Sequence, residues 1–156
     1  MDDNFYMKKA LAMAKAAYKD GEVPIGAVVV CDGQVVASGR NFREKKNNAL
    51  CHAEIIAINR ACKKLGRWRL WDCDLYVTLE PCAMCAGAII NSRVRRVVFG
   101  AFDSKAGSFG SLVNLNDLAY NHKPEIVSGV MQEECADILS SFFRELRQSK
   151  KISKEE

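Results

Sequence analysis

His52, Glu54, Cys82 and Cys85 are the residues of this 156-residue chain whose types and spacing could do chemistry together. They sit in two short stretches, "HAE" at 52–54 and "PCAMC" at 81–85. Cysteines three apart share a helical face. Alone, such a pair serves equally as a redox dithiol, as half of a metal site, or as two small apolar neighbours. A histidine brought beside them makes three ligands for one tetrahedral zinc ion and leaves the fourth position to water, the pattern of a catalytic rather than a closed structural site. Two thiolates cancel the formal charge of the ion, so it acidifies water less than a site with three neutral ligands does, and a separate base is needed. Glu54 is that base if His52 lies at the irregular opening of a helix and Glu54 in its first turn, because residues two apart inside a regular helix do not face each other.

Such a meeting requires elements that aim both stretches at one point. A first helix is expected from Tyr6, Ala10, Met13 and Ala17 on one stripe, with Asp2, Asp3 or Asn4 as cap and Gly21 and Pro24 beyond its end. "IGAVVVCDGQVVASG" predicts a hairpin turning at Asp32-Gly33, followed by a polar loop through "RNFREKKNNAL". Ile55, Ile58, Cys62 and Leu65 predict a second helix stopped by Gly66. "DLYVTL" reads as a buried strand leading into a third helix, with Pro81 near its first turn. "VRRVVFG" and "PEIVSG" add two strands, "AFDSKAGSFGS" a glycine-rich loop, and "EECADILSSFFRELRQ" a closing amphipathic helix. The fold class is therefore α/β, a three-layer helix/sheet/helix sandwich around a mixed five-stranded central sheet. Helix starts that follow the carboxyl ends of strands line a common crevice in such folds, which brings His52, Cys82 and Cys85 together.

The length suits one domain, taken as residues 1–149, with 150–156 as a solvated, fraying, charged tail. A net charge of +4 permits a polyanionic partner without requiring one. Seven cysteines without framework spacing, an N-terminus lacking the apolar core of a signal peptide, and no run fit to span a membrane point to the cytoplasm. Cys31, Cys51, Cys62, Cys73 and Cys135 read as small packing groups, and His122 as the organiser of a turn. Phe142 and Phe143 diverge by about 100° on a helix, so one of them is left for a nucleotide or a partner subunit. By residue type alone, Asn41 and Asp103 suit turn capping as well as substrate contact.

The ordered pair "HAE" … "PCAMC" is the signature of the zinc deaminases. With "GEVPIGAVVV", "WRL", "YVTLEPCAMCAG", "VVFGAFDSKAG", "GSL", "NHKPEI" and "SSFFREL", the chain resembles the bacterial tRNA-specific adenosine deaminases of the cytidine and deoxycytidylate deaminase superfamily. The resemblance implies a cytidine deaminase-like fold and hydrolysis of adenosine to inosine at the wobble position of a tRNA anticodon loop by a homodimer. It implies one zinc per subunit on His52, Cys82 and Cys85, and Glu54 as proton shuttle. It also implies Asn41 and Asp103 as substrate contacts, with the backbone at Ala53, Pro81 and Cys82 holding the base edge. One departure is Cys51, where relatives carry a small alanine. Two other functions compete: a deaminase of free bases or nucleotides, which the zinc motif alone does not exclude, and a non-catalytic RNA-binding subunit, which has no use for Glu54.

Overall fold

The computed structural model describes residues 2–155. Asp2 caps the first helix, α1 (Asp3–Lys19), by accepting a hydrogen bond from the Phe5 amide. Strand β1 (Gly26–Cys31) then turns at Asp32 and Gly33, both at positive φ (51° and 74°), into β2 (Gln34–Arg40). This is the backbone that an Asp-Gly hairpin turn requires. Helix α2 (Ala53–Leu65) ends on Gly66 in the left-handed conformation, strand β3 (Cys73–Leu79) leads into α3 (Ala83–Asn91), and β4 (Arg96–Ala101) follows. A long loop containing a 3-10 turn at Leu115–Asp117 leads to the short β5 (Glu125–Val127) and to α4 (Gln132–Glu155).

The sheet order is β2-β1-β3-β4-β5. β1 runs antiparallel to both β2 and β3, whereas β3, β4 and β5 are mutually parallel, so the sheet is mixed as expected. Alternate residues of the central strands point to opposite layers. Ala27, Val29, Leu75, Val77, Val97 and Phe99 pack against α2 and α3, while Val28, Val30, Tyr76 and Val98 pack against α1 and α4.

Two local expectations change. The inner face of α2 is made by Ala53, Ala57, Ala61 and Ile58, with Ile55, Cys62 and Leu65 only half-buried. Small side chains win there because the helix lies directly on the sheet. A Cβ on Gly39 of β2 would come within 2.4 Å of the Ala53 carbonyl oxygen. Pro81 stands just ahead of α3, near its first turn as expected, with Cys82 as the N-cap. Finally, α4 continues through the segment expected to fray: residues 148–155 are helical and exposed. Their charged, alanine-poor composition gave no core-facing stripe to read, but nothing in it breaks a helix already begun.

Candidate active site

β2 is parallel to β3 and β4, so the carboxyl ends of all three strands open at one edge of the sheet. The loop after β2 delivers His52 as N-cap of α2, and β3 delivers Cys82 as N-cap of α3. Neither residue caps with its side chain, which leaves imidazole and thiol pointing at each other. His52 Nδ1 lies 3.6 Å from Cys82 Sγ and 3.5 Å from Cys85 Sγ. An ion bound tetrahedrally at about 2.3 Å from sulfur and about 2.0–2.1 Å from nitrogen spans N···S edges of about 3.6 Å. The triangle thus has the dimensions and donor chemistry of a metal site.

Protons are distributed unequally within it. The hydrogen bond from Cys85 holds the Cys82 thiol down to about 4, with His52 helping against the cost of burial. Cys85 is pushed well above its ordinary value because its proton is held by Cys82 and by burial. His52 is raised chiefly by its contact with Cys82. A second cluster, Cys31, Asp72 and Cys73, also has ligand atoms within 4.8 Å of one another. There burial pushes Cys31 up and Cys73 to about 12, and Arg67 claims Asp72 at 2.6 Å. Those thiols stay protonated, and the cluster packs as the sequence suggested. Cys135 is buried too, whereas Cys51 and Cys62 are half-buried.

Glu54, in the first turn of α2, is 4% exposed and turned inward, where it feels His52, Cys82 and Cys85. Burial raises it to about 7, against the opposing pull of its backbone hydrogen bond and of His52. A carboxyl group near neutrality takes and returns a proton with little driving force either way, which suits a general acid and base.

His52 and Ala53 line a cavity of about 470 Å³, of the size that small-molecule sites take. Asn41 and Asp103 both line it, as do Arg43, Phe102, Ser104 and Lys105 from the two flanking loops and Leu139 and Phe143 from α4. Asn41 is 5% exposed, donates to the Val23 carbonyl and accepts from the Arg43 amide, so it orders its loop while facing the cavity. Asp103 Oδ1 likewise accepts from the Lys105 and Ala106 amides. Pro81 and Cys82 are the expected base-edge contacts that are not among the lining residues; the Pro81 carbonyl accepts from the Ser108 amide. Phe142 is buried edge-on against Tyr18, while Phe143 is 41% exposed at the cavity, as their divergence on the helix required. His122 Nε2 donates to the Val94 carbonyl at 2.6 Å, tying its turn to the start of β4.

The sequence reading missed Phe102, Arg43, Ser104 and Lys105. It also missed two buried carboxylates that hold the cavity's loops. Glu22 accepts from the Glu44 and Lys45 amides, and Glu80 accepts from Asp103, Phe109 and Ser111. The signal available was an acidic residue inside an apolar run, "GEVP" and "TLEPC", but the partners of such a residue are distant in sequence.

The model of the MafB19-like deaminase family matches residues 1–147. A tRNA-specific adenosine deaminase of Bacillus subtilis (strain 168) is 54% identical over 153 residues, covering 97% of this chain and 95% of its own. The chain belongs to that family. It is a deaminase. A solved structure from work on A-to-I editing by tRNA:A34 deaminases at the wobble position superposes with a TM-score of 0.84 at 46% identity, covering 86% of this chain and 99% of the other. A guanine deaminase from Bacillus subtilis is 40% identical with a TM-score of 0.63, over 65% and 66% of the two chains. The tRNA-specific adenosine deaminase relatives thus match this chain at higher identity than this guanine deaminase does. Among the described residues, no helix is long and apolar enough to cross a membrane.

Proposed function

We propose that this deaminase hydrolyses adenosine to inosine at the wobble position of a tRNA anticodon loop, with one zinc ion per subunit. The observation that carries the reading is the His52–Cys82–Cys85 triangle beside an inward-facing Glu54, with His52 also lining the cavity that holds Asn41 and Asp103. His52 Nδ1 and the Cys82 and Cys85 sulfurs would hold the zinc, for which mixed imidazole and thiolate donors are suited. When bound, it supplies a Lewis acid that makes water nucleophilic.

The protein's own part is positioning and proton transfer. Glu54 accepts a proton from the attacking water and gives it to the ring nitrogen beside the amine-bearing carbon. It then takes the second proton from the added hydroxyl and passes it to the amine as the C–N bond breaks, so that water and adenosine become inosine and ammonia. Asn41 and the backbone at Ala53 orient the base, and Asp103 contacts the nucleotide backbone. Pro81 serves the base edge through the Cys82 backbone that it precedes. An anticodon base is already unpaired, so extruding it costs less than from a duplex.

The experiment is inosine mapping on an anticodon stem-loop set against turnover of free adenosine, cytidine and guanine. Deamination of the stem-loop with little action on the free compounds is expected; preference for free guanine or cytidine overturns the tRNA assignment. The homodimer rests on the family resemblance, and light scattering after gel filtration tests it: a mass of two chains is expected, and a monomer that edits RNA at full rate rejects it. A cytoplasmic location likewise follows from the tRNA substrate.

A further inference from the structure

The residue before Pro81 is a carboxylate with no role in the chemistry above, yet it is 2% exposed and heavily bonded. Glu80 Oε1 accepts from the Asp103 amide at 3.1 Å and from the Ser111 hydroxyl. Oε2 accepts from the Phe109 amide at 3.2 Å and the Ser111 amide at 3.1 Å. These four bonds use the capacity of both oxygens. Gly107 presses on the same carboxyl group so closely that a Cβ there would lie 2.3 Å from its carbon. The Ser108 amide binds the Pro81 carbonyl, so residues 103–111 are fastened to the dipeptide that leads into Cys82. A buried charge is costly unless every lone pair is met, and a fully met one fixes geometry.

We propose that Glu80 is a positioning residue for RNA binding: its carboxylate holds the 102–111 segment so that Phe102 and Asp103 stand at the cavity mouth in register with the metal ligands. The inference rests on the tRNA reading. It differs from a general stabilising role because the clamped segment carries cavity-lining residues while His52 and Glu54 are held by α2 and Cys85 by α3; Cys82 adjoins the clamp, so metal content is read beside the kinetics. Loosening the clamp should therefore weaken RNA binding more than chemistry. In Glu80→Gln an amide N–H2 faces backbone donors, leaving one oxygen to serve all four.

The test is steady-state kinetics on an anticodon stem-loop, with metal content, for Glu80→Gln, Gly107→Ala, Asp103→Ala and the Glu80→Gln/Asp103→Ala double variant. For Glu80→Gln and Gly107→Ala we expect KM to rise about tenfold with kcat within about threefold of the parent and metal content unchanged. The double variant should lose little more than the worse single one, because both changes disable the same contact. An unchanged KM, a fall confined to kcat, or multiplicative losses in the double variant overturns the proposal. Should Glu80→Gln fail to fold, exposed Ser111→Ala removes one clamp donor: a KM raised about threefold at unchanged kcat supports the proposal, and an unchanged KM rejects it. Parent enzyme that leaves the stem-loop unedited refutes the tRNA reading itself, whatever Glu80 does.

Discussion

Two sets of cysteines with similar spacing in space differ in what they can bind, and the difference lies in their neighbours. Cys82 sits at a helix start beside His52 and ionises readily, whereas Cys31 and Cys73 face each other across apolar strands and hold their protons. Glu54 shares the first environment without being one of the three ligands. Its substitution separates chemistry from binding. Glu54→Gln should keep the metal and a melting temperature within a few degrees of the parent, while kcat for inosine formation falls by about 10²–10⁴-fold. Elemental analysis and single-turnover kinetics check both halves, and a fully active variant would refute the proton-shuttle role. His52, Glu54, Cys82 and Cys85 were all legible in the sequence because each stretch is local and opens a helix. Phe102, Arg43 and Lys105 were not, since nothing in a polar loop says which of its side chains faces a cavity.

At the scale of elements, the site depends on how closely α2 approaches the sheet. Gly39→Ala places a methyl group against the Ala53 carbonyl, and overpacking of this kind costs about 1–3 kcal/mol. We expect a lower denaturation midpoint together with reduced turnover, since the displaced turn carries His52 and Glu54; thermal melts and stem-loop assays read the two effects. On the opposite layer, Asp3 at the start of α1 bonds Arg96 of β4 at 2.6 Å and accepts from the Tyr76 hydroxyl at 2.7 Å. Arg96 holds the Asp3 carboxyl below its ordinary value near 3.8. A carboxylate lowered on folding adds stability above that value and loses it as the pH falls through the lowered one. Asp3→Asn should therefore destabilise by about 1 kcal/mol at neutral pH and by less near pH 3, as paired urea titrations would register. Hairpin and helix boundaries were readable from Asp32-Gly33 and Gly66, where one backbone conformation is demanded. The alanine face of α2 was not, because small residues look alike until a sheet is laid against them.

For the molecule as a whole, a charge of +4 says little until its placement is known. Arg43 and Lys105 stand on opposite loops at the cavity mouth, where a nucleic-acid backbone would pass. Affinity for the stem-loop should fall steeply between low and moderate salt, and Lys105→Ala should flatten the log–log slope by about one. Filter binding at several salt concentrations measures this; an unaltered slope removes Lys105 from the interface. The charged end of α4 is exposed, so deleting residues 150–156 should change stability by no more than about 0.5 kcal/mol, checked by denaturant melts.

The residue types alone determined the metal-binding chemistry, the need for a separate base, the alternation of strands and helices, and the family. These follow from short-range rules: spacing along a helix, turn chemistry, and ligand preference. Only the tertiary structure decided that His52, Cys82 and Cys85 meet, that Cys31 and Cys73 make no second ionised pair, and that Pro81 holds a loop rather than lining the cavity. It alone decided that Glu22 and Glu80 fasten the loops around the cavity. Those outcomes depend on burial and on partners distant in the chain, His52 and Cys85 being 33 residues apart and Glu80 and Ser111 31, which local sequence does not encode.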